Sequence, residues 1–276
     1  MILVIAAGAT ILLPFQLAKD AIWNINIANV TGVTKLKEIK MPKIWHISDT
    51  HGHHLDLKVP SNIDIVIHSG DASNYRDPFR NESEMHSFLT WFSRLPIEHK
   101  IFVAGNHDTS IEKGFIHPED MKKIGITYLY METIEVMGFK IWGSPYVPRY
   151  SDWAFMKPRA QMMRKVWQFV DSEADIIITH TPPKGILDYA DRRIYDPNTN
   201  AYINTVEDCG CLSLRKTINK INPKLHCFGH IHSTRNIQNT GTRTVPGLQT
   251  VFSNASCCMD KEKNRMTFHG NIINLE

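Results

Sequence analysis

Five short apolar segments of this chain each end in aspartate, asparagine or histidine, often beside a glycine. The polar residues are Asp49, His51, Asp71, Asn106, His107, His180, His230 and His232. Taken singly, each of them fits a surface turn, a helix N-cap or a satisfied core histidine. Their ordered recurrence instead favours a single site that collects metal ligands.

The apolar segments predict the elements that position these residues. Strands covered on both faces are predicted at 43–48 (KIWHIS), 64–69 (DIVIHS), 101–104 (IFVA), 175–179 (DIIIT), 224–228 (KLHCF) and 250–253 (TVFS). Three helices are predicted between them: one capped by Asn81 and Glu84, one that begins at Pro158, and one over 212–221. Alternating strands and helices indicate an α/β layered domain. The polar residues 184–207 are predicted to form a long loop.

In an open α/β sheet, ligands bind beyond the carboxyl ends of the strands, so we expect these polar side chains to converge there. His230 and His232 alternate at one strand end and therefore point the same way. Two carboxylates, one amide and four imidazoles suit divalent Mn, Fe or Zn. Because a single cation cannot use all seven comfortably, the set predicts two divalent metal ions that share one carboxylate.

The composition is that of a soluble globular protein. The chain has 276 residues, 42% hydrophobic and 21% charged, and a net charge of +3 from 31 basic and 28 acidic side chains. This near balance gives no reason to expect nucleic acid as a partner. Fourteen histidines, by contrast, are a reason to search for metal ligands. Trp45, Trp142, Trp153 and Trp167 are expected in the core rather than on a base-stacking surface.

The five cysteines include no paired CxxC motif, which favours reduced thiols and a cytoplasmic protein. Residues 1–13 are almost wholly apolar, yet no basic stretch precedes them, and they fall short of the ~20 residues that a membrane-spanning helix needs. A membrane partner is therefore not expected, although this segment leaves it open. We divide the chain into an extension at 1–40, without an assigned role, and a domain at 41–276. The sequence does not determine the oligomeric state.

The order D-x-H, GD, GNH[DE], H, GHxH resembles that of the calcineurin-like metallophosphoesterase superfamily, over about residues 43–276. GSPYVPRYSDWAF at 143–155, THTPPKGILD at 179–188 and PKLHCFGHIH at 223–232 are similar to the brain-type metallophosphoesterase-domain-containing proteins, which are thought to include cyclic-nucleotide phosphodiesterases of modest activity. The resemblance implies an α/β fold with two facing mixed β-sheets flanked by helices, and a site at the sheet edges.

The same resemblance implies a role for each motif residue. One metal ion would be held by Asp49, His51, Asp71 and His232. The second would be held by Asp71, Asn106, His180 and His230, so that Asp71 bridges the two. His107 would bind no metal and would face the phosphoryl group of the substrate.

A pair of cations about 3.5–4 Å apart can hold a bridging hydroxide that attacks phosphorus in line. His107 is the candidate to protonate the leaving oxygen or to hold a non-bridging one. Asp108 is next to it in the chain and could orient its ring, while a purely structural hydrogen bond within the turn is the alternative role for His107.

Related protein phosphatases carry an arginine four residues after the bridging aspartate, where this chain has Tyr75, followed by Arg76. Asn74 either contacts substrate or shapes the turn. Without that arginine the site suits the single charge of a diester, so we expect a phosphodiesterase for cyclic nucleotides or similar small diesters. The alternatives are a phosphomonoesterase or protein phosphatase of the same fold, and a weakly active nucleotide-binding scaffold.

Overall fold

The computed structural model describes residues 2–6, 9–13, 41–234, 236–257, 259–260 and 265–275. It divides into a first unit, Met1–Met41, and a second unit, Pro42–Leu275. In the first unit, β1 (Ile2–Ala6) pairs antiparallel with β2 (Ala9–Leu13). The rest of the predicted extension lies outside the described residues, and the division into 1–40 and 41–276 stays a prediction.

The strands of the second unit are, in chain order, β3 (Lys43–Ile47), β4 (Ile65–His68), β5 (His99–Phe102), β6 (Thr127–Tyr128), β7 (Glu132–Val136), β8 (Phe139–Ser144), β9 (Val147–Pro148), β10 (Met156–Lys157), β11 (Ile176–Thr179), β12 (Tyr189–Asp196), β13 (Ala201–Asp208), β14 (Leu225–Phe228), β15 (Gly241–Arg243), β16 (Val251–Asn254), β17 (Met259–Asp260), β18 (Arg265–Met266) and β19 (Asn271–Asn274). Its α-helices are α1 (Pro78–Ser93), α2 (Thr109–Glu112), α3 (Pro118–Lys123), α4 (Met162–Lys165) and α5 (Leu212–Ile221).

Two mixed sheets carry the unit. One has the strand order β19-β3-β4-β5-β6, in which only β19 runs antiparallel to its neighbour. The other has the order β15-β16-β14-β11-β8-β7, with four parallel central strands and an antiparallel strand at each edge. Parallel strands end at a common edge of their sheet, which is where the polar motifs lie.

The two sheets face each other across an aliphatic layer. Ile65 and Ile67 of one sheet pack in the same buried cluster as Ile176 and Ile178 of the other. Side chains alternate along a strand, so the intervening residues, Ile177 among them, point outward into a second cluster that includes helical residues. Burial on both faces explains why these strands are continuously apolar. The predicted fold of facing mixed sheets flanked by helices is confirmed.

The helix predictions have mixed outcomes. Helix α5 has the predicted bounds. Helix α1 begins four residues earlier than expected, because the carboxylate of Asp77 caps it by accepting from the Arg80 amide at 3.0 Å, with Pro78 in the first turn. The helix predicted from Pro158 is broken into α4 and two 3-10 turns. The loop predicted at 184–207 is wrong: β12 and β13 pair there as an antiparallel ribbon.

Two further expectations concern the state of the cysteines and the membrane. Cys209, Cys211, Cys227 and Cys257 carry free thiols, as predicted, and Cys258 lies outside the described residues. Among the described residues, no helix combines the length and the apolar character that crossing a bilayer requires.

Candidate metal centre

The strand ends bring the predicted ligands together in two groups. The first group is Asp49, His51 and His232, whose ligand atoms all lie within 4.8 Å of one another. Asp49 Oδ1 is 3.0 Å from His232 Nε2, and the Nε2 atoms of His51 and His232 are 3.4 Å apart. These residues follow β3 and β14, so each sheet contributes to the group.

The second group is Asp71, His180 and His230, again with ligand atoms within 4.8 Å of one another. Asp71 Oδ2 lies 3.3 Å from His180 Nε2 and 3.9 Å from His51 Nε2. Asp71 therefore stands between the two groups, and it also forms a further close set with His51 and His107. The three sets share His51 and Asp71, so seven of the predicted site residues lie at one place.

Two buried polar atoms at this place have no hydrogen-bond partner among the described residues. They are Asn106 Oδ1 and His180 Nε2, whose 3.3 Å approach to Asp71 Oδ2 is a charge contact without the geometry of a hydrogen bond. The second polar atom of each side chain has a partner. Asn106 Nδ2 donates to the Tyr150 hydroxyl at 3.2 Å, and His180 Nδ1 donates to the Ser69 carbonyl at 2.9 Å. An unpartnered buried polar atom lowers the stability of the fold. A divalent cation coordinated by these two atoms would remove that cost.

The backbone is strained where it presents the ligands. Asp49, His51, Asp71 and His230 have φ values of 53°, 43°, 56° and 71°, in the left-handed region that most residues avoid. Such residues cost about 1–3 kcal/mol each and persist where the surrounding structure holds them. Four of the seven predicted ligands share this strain, which is consistent with a site that is built for a ligand.

Two glycines allow the strand ends to approach each other. A Cβ atom at Gly105 would lie 2.2 Å from Asp71 Oδ1, and one at Gly229 would lie 2.1 Å from Asp49 Oδ2. Each glycine thus leaves room for the carboxylate of a neighbouring strand. The glycine of each motif is a packing requirement of the site as well as a turn signal.

Buried polar side chains hold the two carboxylate motifs. Asp108 accepts from the amides of Gly105, Asp71 and Ser73 at 2.7–3.0 Å and from the Ser73 hydroxyl at 2.7 Å. Its hydrogen bonds therefore shape the turns and do not orient the His107 ring, contrary to the possibility drawn from adjacency. Burial, together with the nearby Asp71 charge, raises the pKa of Asp108 to about 6. Asp49 is held by the Ser256 hydroxyl at 2.9 Å.

The charges of the site favour a cation. Burial alone would raise the pKa of Asp71, but His180 and its neighbouring imidazoles hold it well below its usual range. Burial would also raise the pKa of Asp49, but His232, His180 and His51 together hold it well below its usual range. Burial lowers the pKa of His230 to about 3, whereas Asp71 and Asp49 outweigh burial at His180 and raise its pKa to about 9. The two ionised carboxylates therefore supply the negative charge that a cation needs.

His107 faces the groups from a third side. Its Nδ1 lies 3.1 Å from the carbonyl of Asn74, and its amide donates to Asp71 Oδ1 at 2.7 Å. Asn74 contributes through this carbonyl, while its side chain is exposed. The Arg76 guanidinium donates to the carboxylate and the carbonyl of Asp152.

Sequence reasoning missed several residues that shape the site. Asn81, predicted as a helix cap, is buried inside α1 and donates to the carbonyls of Tyr75 and His107 at 2.7 and 2.8 Å. The expected partner of that cap, Glu84, accepts from the amides of Asn74 and Tyr75. The only local feature that could have indicated these roles is the helical spacing of Asn81 and Glu84, and a capping box has the same spacing.

The tryptophan prediction holds in part. Trp45, Trp142 and Trp167 are buried in the core, as predicted. Trp153 is not: it is half-buried and stacks on the His107 ring, with centroids 4.0 Å apart and planes at 27°.

A family model described as calcineurin-like phosphoesterase matches residues 42–234 of this chain. The chain belongs to the calcineurin-like phosphoesterase family. Metallophosphoesterase domain-containing protein 1 of Homo sapiens is 31% identical over 235 residues, which cover 77% of this chain and 65% of that protein. The chain therefore spans just under two thirds of the length of that relative.

Other relatives agree with the assignment. UPF0046 protein K07C11.7 of Caenorhabditis elegans is 30% identical over 265 residues, which cover 87% of this chain and 80% of that protein. Among solved structures, TT1561 of Thermus thermophilus shares the fold, with a TM-score of 0.51 at 12% identity over 86% of this chain and all of that one. The resemblance to the metallophosphoesterases is confirmed. Calcineurin-like phosphoesterases are phosphoester hydrolases that use divalent metal ions, and the groups at these strand ends can hold such ions.

Proposed function

We propose that this protein is a phosphodiesterase that depends on two divalent metal ions. One ion would be held by Asp49, His51, Asp71 and His232, and the other by Asp71, Asn106, His180 and His230. The observation that carries the proposal is the position of Asp71 between two groups of metal donors. The donor set of carboxylate, amide and imidazole suits Mn, Fe or Zn.

The bound ions supply Lewis acidity, which activates water and offsets the charge of the phosphoryl group. The protein's own part is to hold the ligands before the ions arrive. The hydrogen bonds of Asp49 to Ser256, and of Asp71 to the His107 amide, fix both carboxylates in the groups. Preorganised groups of this kind lose little free energy to reorganisation during the reaction.

His107 is the proposed proton donor to the leaving oxygen. A carbonyl oxygen only accepts, so the contact with the Asn74 carbonyl places a proton on Nδ1 of His107. The exchangeable proton of the ring is then on Nε2. Because Nδ1 keeps its proton and its partner throughout, the ring can give up the Nε2 proton without changing its orientation.

The loop after β4 favours a diester over a monoester. Its Tyr75 occupies the position at which related protein phosphatases carry an arginine, and the guanidinium of Arg76 is bound to Asp152. No arginine of this loop therefore offers a bidentate contact to a dianionic phosphate. We propose cyclic nucleotides and similar small diesters as the substrate class.

The decisive experiment compares two substrates after elemental analysis of the purified protein. We expect about two divalent ions per chain and faster hydrolysis of bis-p-nitrophenyl phosphate than of p-nitrophenyl phosphate, followed by turnover of members of a cyclic-nucleotide panel. Chelation should abolish both activities, and added Mn²⁺ should restore them. A faster monoester would make the protein a phosphomonoesterase. Tight nucleotide binding without turnover would make it a scaffold.

A single substitution tests the role of His107. We expect His107→Ala to lower kcat on diesters by about 10²- to 10⁴-fold, the usual contribution of a general acid, while the metal content stays unchanged. Elemental analysis and initial rates measure the two quantities on the same sample. Loss of metal equal to that of a ligand variant would show that His107 is a ligand, which its closeness to His51 and Asp71 allows.

A further inference from the structure

The indole of Trp153 is part of the site although no metal-ligand motif includes it. Its ring lies parallel to the His107 imidazole at a centroid distance of 4.0 Å. On another side of the imidazole, the His51 ring is edge-on, with centroids 4.7 Å apart and planes at 80°. The His107 ring is therefore enclosed between an indole face and a second imidazole.

The protein holds the indole in place from both of its sequence neighbours. Next to it, the Ala154 amide donates to the Asn106 carbonyl at 3.1 Å, which ties the segment to the turn that carries His107. The preceding residue, Asp152, binds Arg76, whose guanidinium carbon lies 5.3 Å from the indole centroid. The contacts of the indole with His107 and Arg76 explain its position within the protein without a nucleobase of the substrate stacked on it.

The hydrogen bond of His107 to the Asn74 carbonyl fixes one atom of the imidazole but leaves the ring free to turn about that contact. A stacked neighbour restricts the plane of the ring, which the hydrogen bond does not. We propose that Trp153 is a positioning residue, which keeps His107 Nε2 directed at the leaving oxygen of the substrate. The proposal rests on the proposed function of His107 as a proton donor.

The test uses two diesters that differ in their need for a proton donor. Bis-p-nitrophenyl phosphate releases a good leaving group, whereas diphenyl phosphate releases a poor one. We expect Trp153→Ala to lower kcat on diphenyl phosphate by about 10²-fold, the cost of a misplaced catalytic group, with a much smaller loss on bis-p-nitrophenyl phosphate. Metal content should be unchanged, and Trp153→Phe should recover most of the rate because it restores a stacking face.

Trp91→Ala is the matched control, because Trp91 of α1 makes its ring contacts with residues such as Trp45 and His54, which are not among the proposed ligands. It should leave kcat on both diesters unchanged. Equal losses on both diesters in Trp153→Ala, or loss of metal, would overturn the proposal and make Trp153 a support for the fold or the metal groups. Unchanged rates on both diesters would overturn it as well.

Fluorescence separates this proposal from the proposed function. The protonated imidazole of a proton donor quenches the emission of an indole in contact with it, so His107→Ala should raise the emission of the protein, and this rise should be absent in the Trp153→Phe background. The measurement needs no turnover. If the wild-type protein hydrolyses neither diester, the proposed function fails, and the stack is judged by emission alone: a rise supports it and unchanged emission overturns it.

Discussion

Two sets of histidines lie in the same pair of sheets, one inside the strands and one just beyond their ends. The inner set, His46, His68 and His226, bonds to neutral hydroxyls: His46 contacts Ser253 and Ser69 at 2.7 and 2.9 Å. Burial lowers the pKa of all three to about 3, so they are neutral. These three histidines therefore serve as neutral packing residues of the core.

The outer set faces carboxylates. It comprises His51, His180, His230 and His232, which lie one to four residues beyond the ends of their strands. There the chain turns, in part through left-handed residues, and directs the side chains to a shared edge. Burial alone does not separate the sets, since His180 of the outer set is as fully buried as the inner histidines. The difference is one of position relative to the strand end. A histidine is a candidate ligand where the strand stops, and a core residue where it continues.

The largest effect is expected where both metal groups depend on one carboxylate. Asp71→Asn keeps the side-chain shape, and asparagine tolerates the left-handed backbone at this position. We expect turnover at background and a reduced content of both ions, because the amide lacks the charge that binds them. Asp64→Asn is the control: Asp64 bonds to the Lys43 amide at the other end of β4, so activity and metal should be unchanged. Full metal retention in Asp71→Asn would contradict the bridging role.

A matched pair of histidines tests the contrast directly. His180 follows β11 and His226 lies within the adjacent β14, and both are fully buried. We expect His180→Ala to lose metal and most of the turnover. We expect His226→Ala to lower the free energy of unfolding by about 2–4 kcal/mol through the cavity it leaves, with metal content retained. Elemental analysis and urea unfolding are the measurements. Metal loss in His226→Ala would remove the distinction between the two sets.

The strand ends were predictable because their signal is local. An apolar run that stops at a polar residue, in several cases beside a glycine, indicates both the strand and the edge at which its last side chains lie, and the close sets of Asp49, His51, Asp71, His180, His230 and His232 form at those edges. The groups that support the ligands were not predictable. Ser256 bonds to Asp49 across 207 residues, and Asn81 reaches His107 across 26, so no spacing in the sequence links them. Trp153 was assigned to the core because an isolated tryptophan has no local feature that separates packing from stacking.

Local sequence patterns also gave wrong predictions where one pattern fits two different local structures. The spacing of Asn81 and Glu84 fits a capping box, yet the cap of α1 is Asp77, since Pro78 sets the first turn. The polar segment at 184–207 has few core-forming residues, yet its strands pair with each other and stay largely exposed. The polar composition of this segment is consistent with its exposure but does not indicate the pairing.

The inner histidines should make the fold sensitive to acid. The pKa of His226 is about 3 in the folded protein, against 6.5 ordinarily, so between these values the unfolded chain binds a proton that the folded chain does not. Stability is therefore lost as the pH falls through this window, at up to about 1.4 kcal/mol per pH unit for each such group.

Replacing the His226 imidazole with a ring that cannot titrate measures how much this residue contributes to the loss of stability at low pH. His226→Phe should fit beside Phe228, whose ring centroid lies 5.0 Å away. It removes the 2.9 Å hydrogen bond between His226 Nε2 and the Thr179 hydroxyl, but that loss is the same at both pH values and cancels in the comparison. We expect the drop in unfolding free energy between about pH 7 and about pH 5 to be smaller by about 2 kcal/mol than in the wild type, measured by urea unfolding after chelation. An identical drop would show that His226 does not remain neutral in the folded protein.

The smallest effect separates two serines near the end of one strand. Ser253 lies within β16 and bonds to the inner His46, whereas Ser256 lies just past the strand and bonds to Asp49 Oδ2. We expect Ser256→Ala to weaken metal binding by about tenfold, the usual cost of removing a partner that orients a ligand, with little change in stability. Ser253→Ala should instead lower stability by about 1 kcal/mol and leave metal affinity unchanged. Titration calorimetry and urea unfolding on both variants give the comparison, and similar metal affinity in the two would show that the strand end does not divide packing from ligand support.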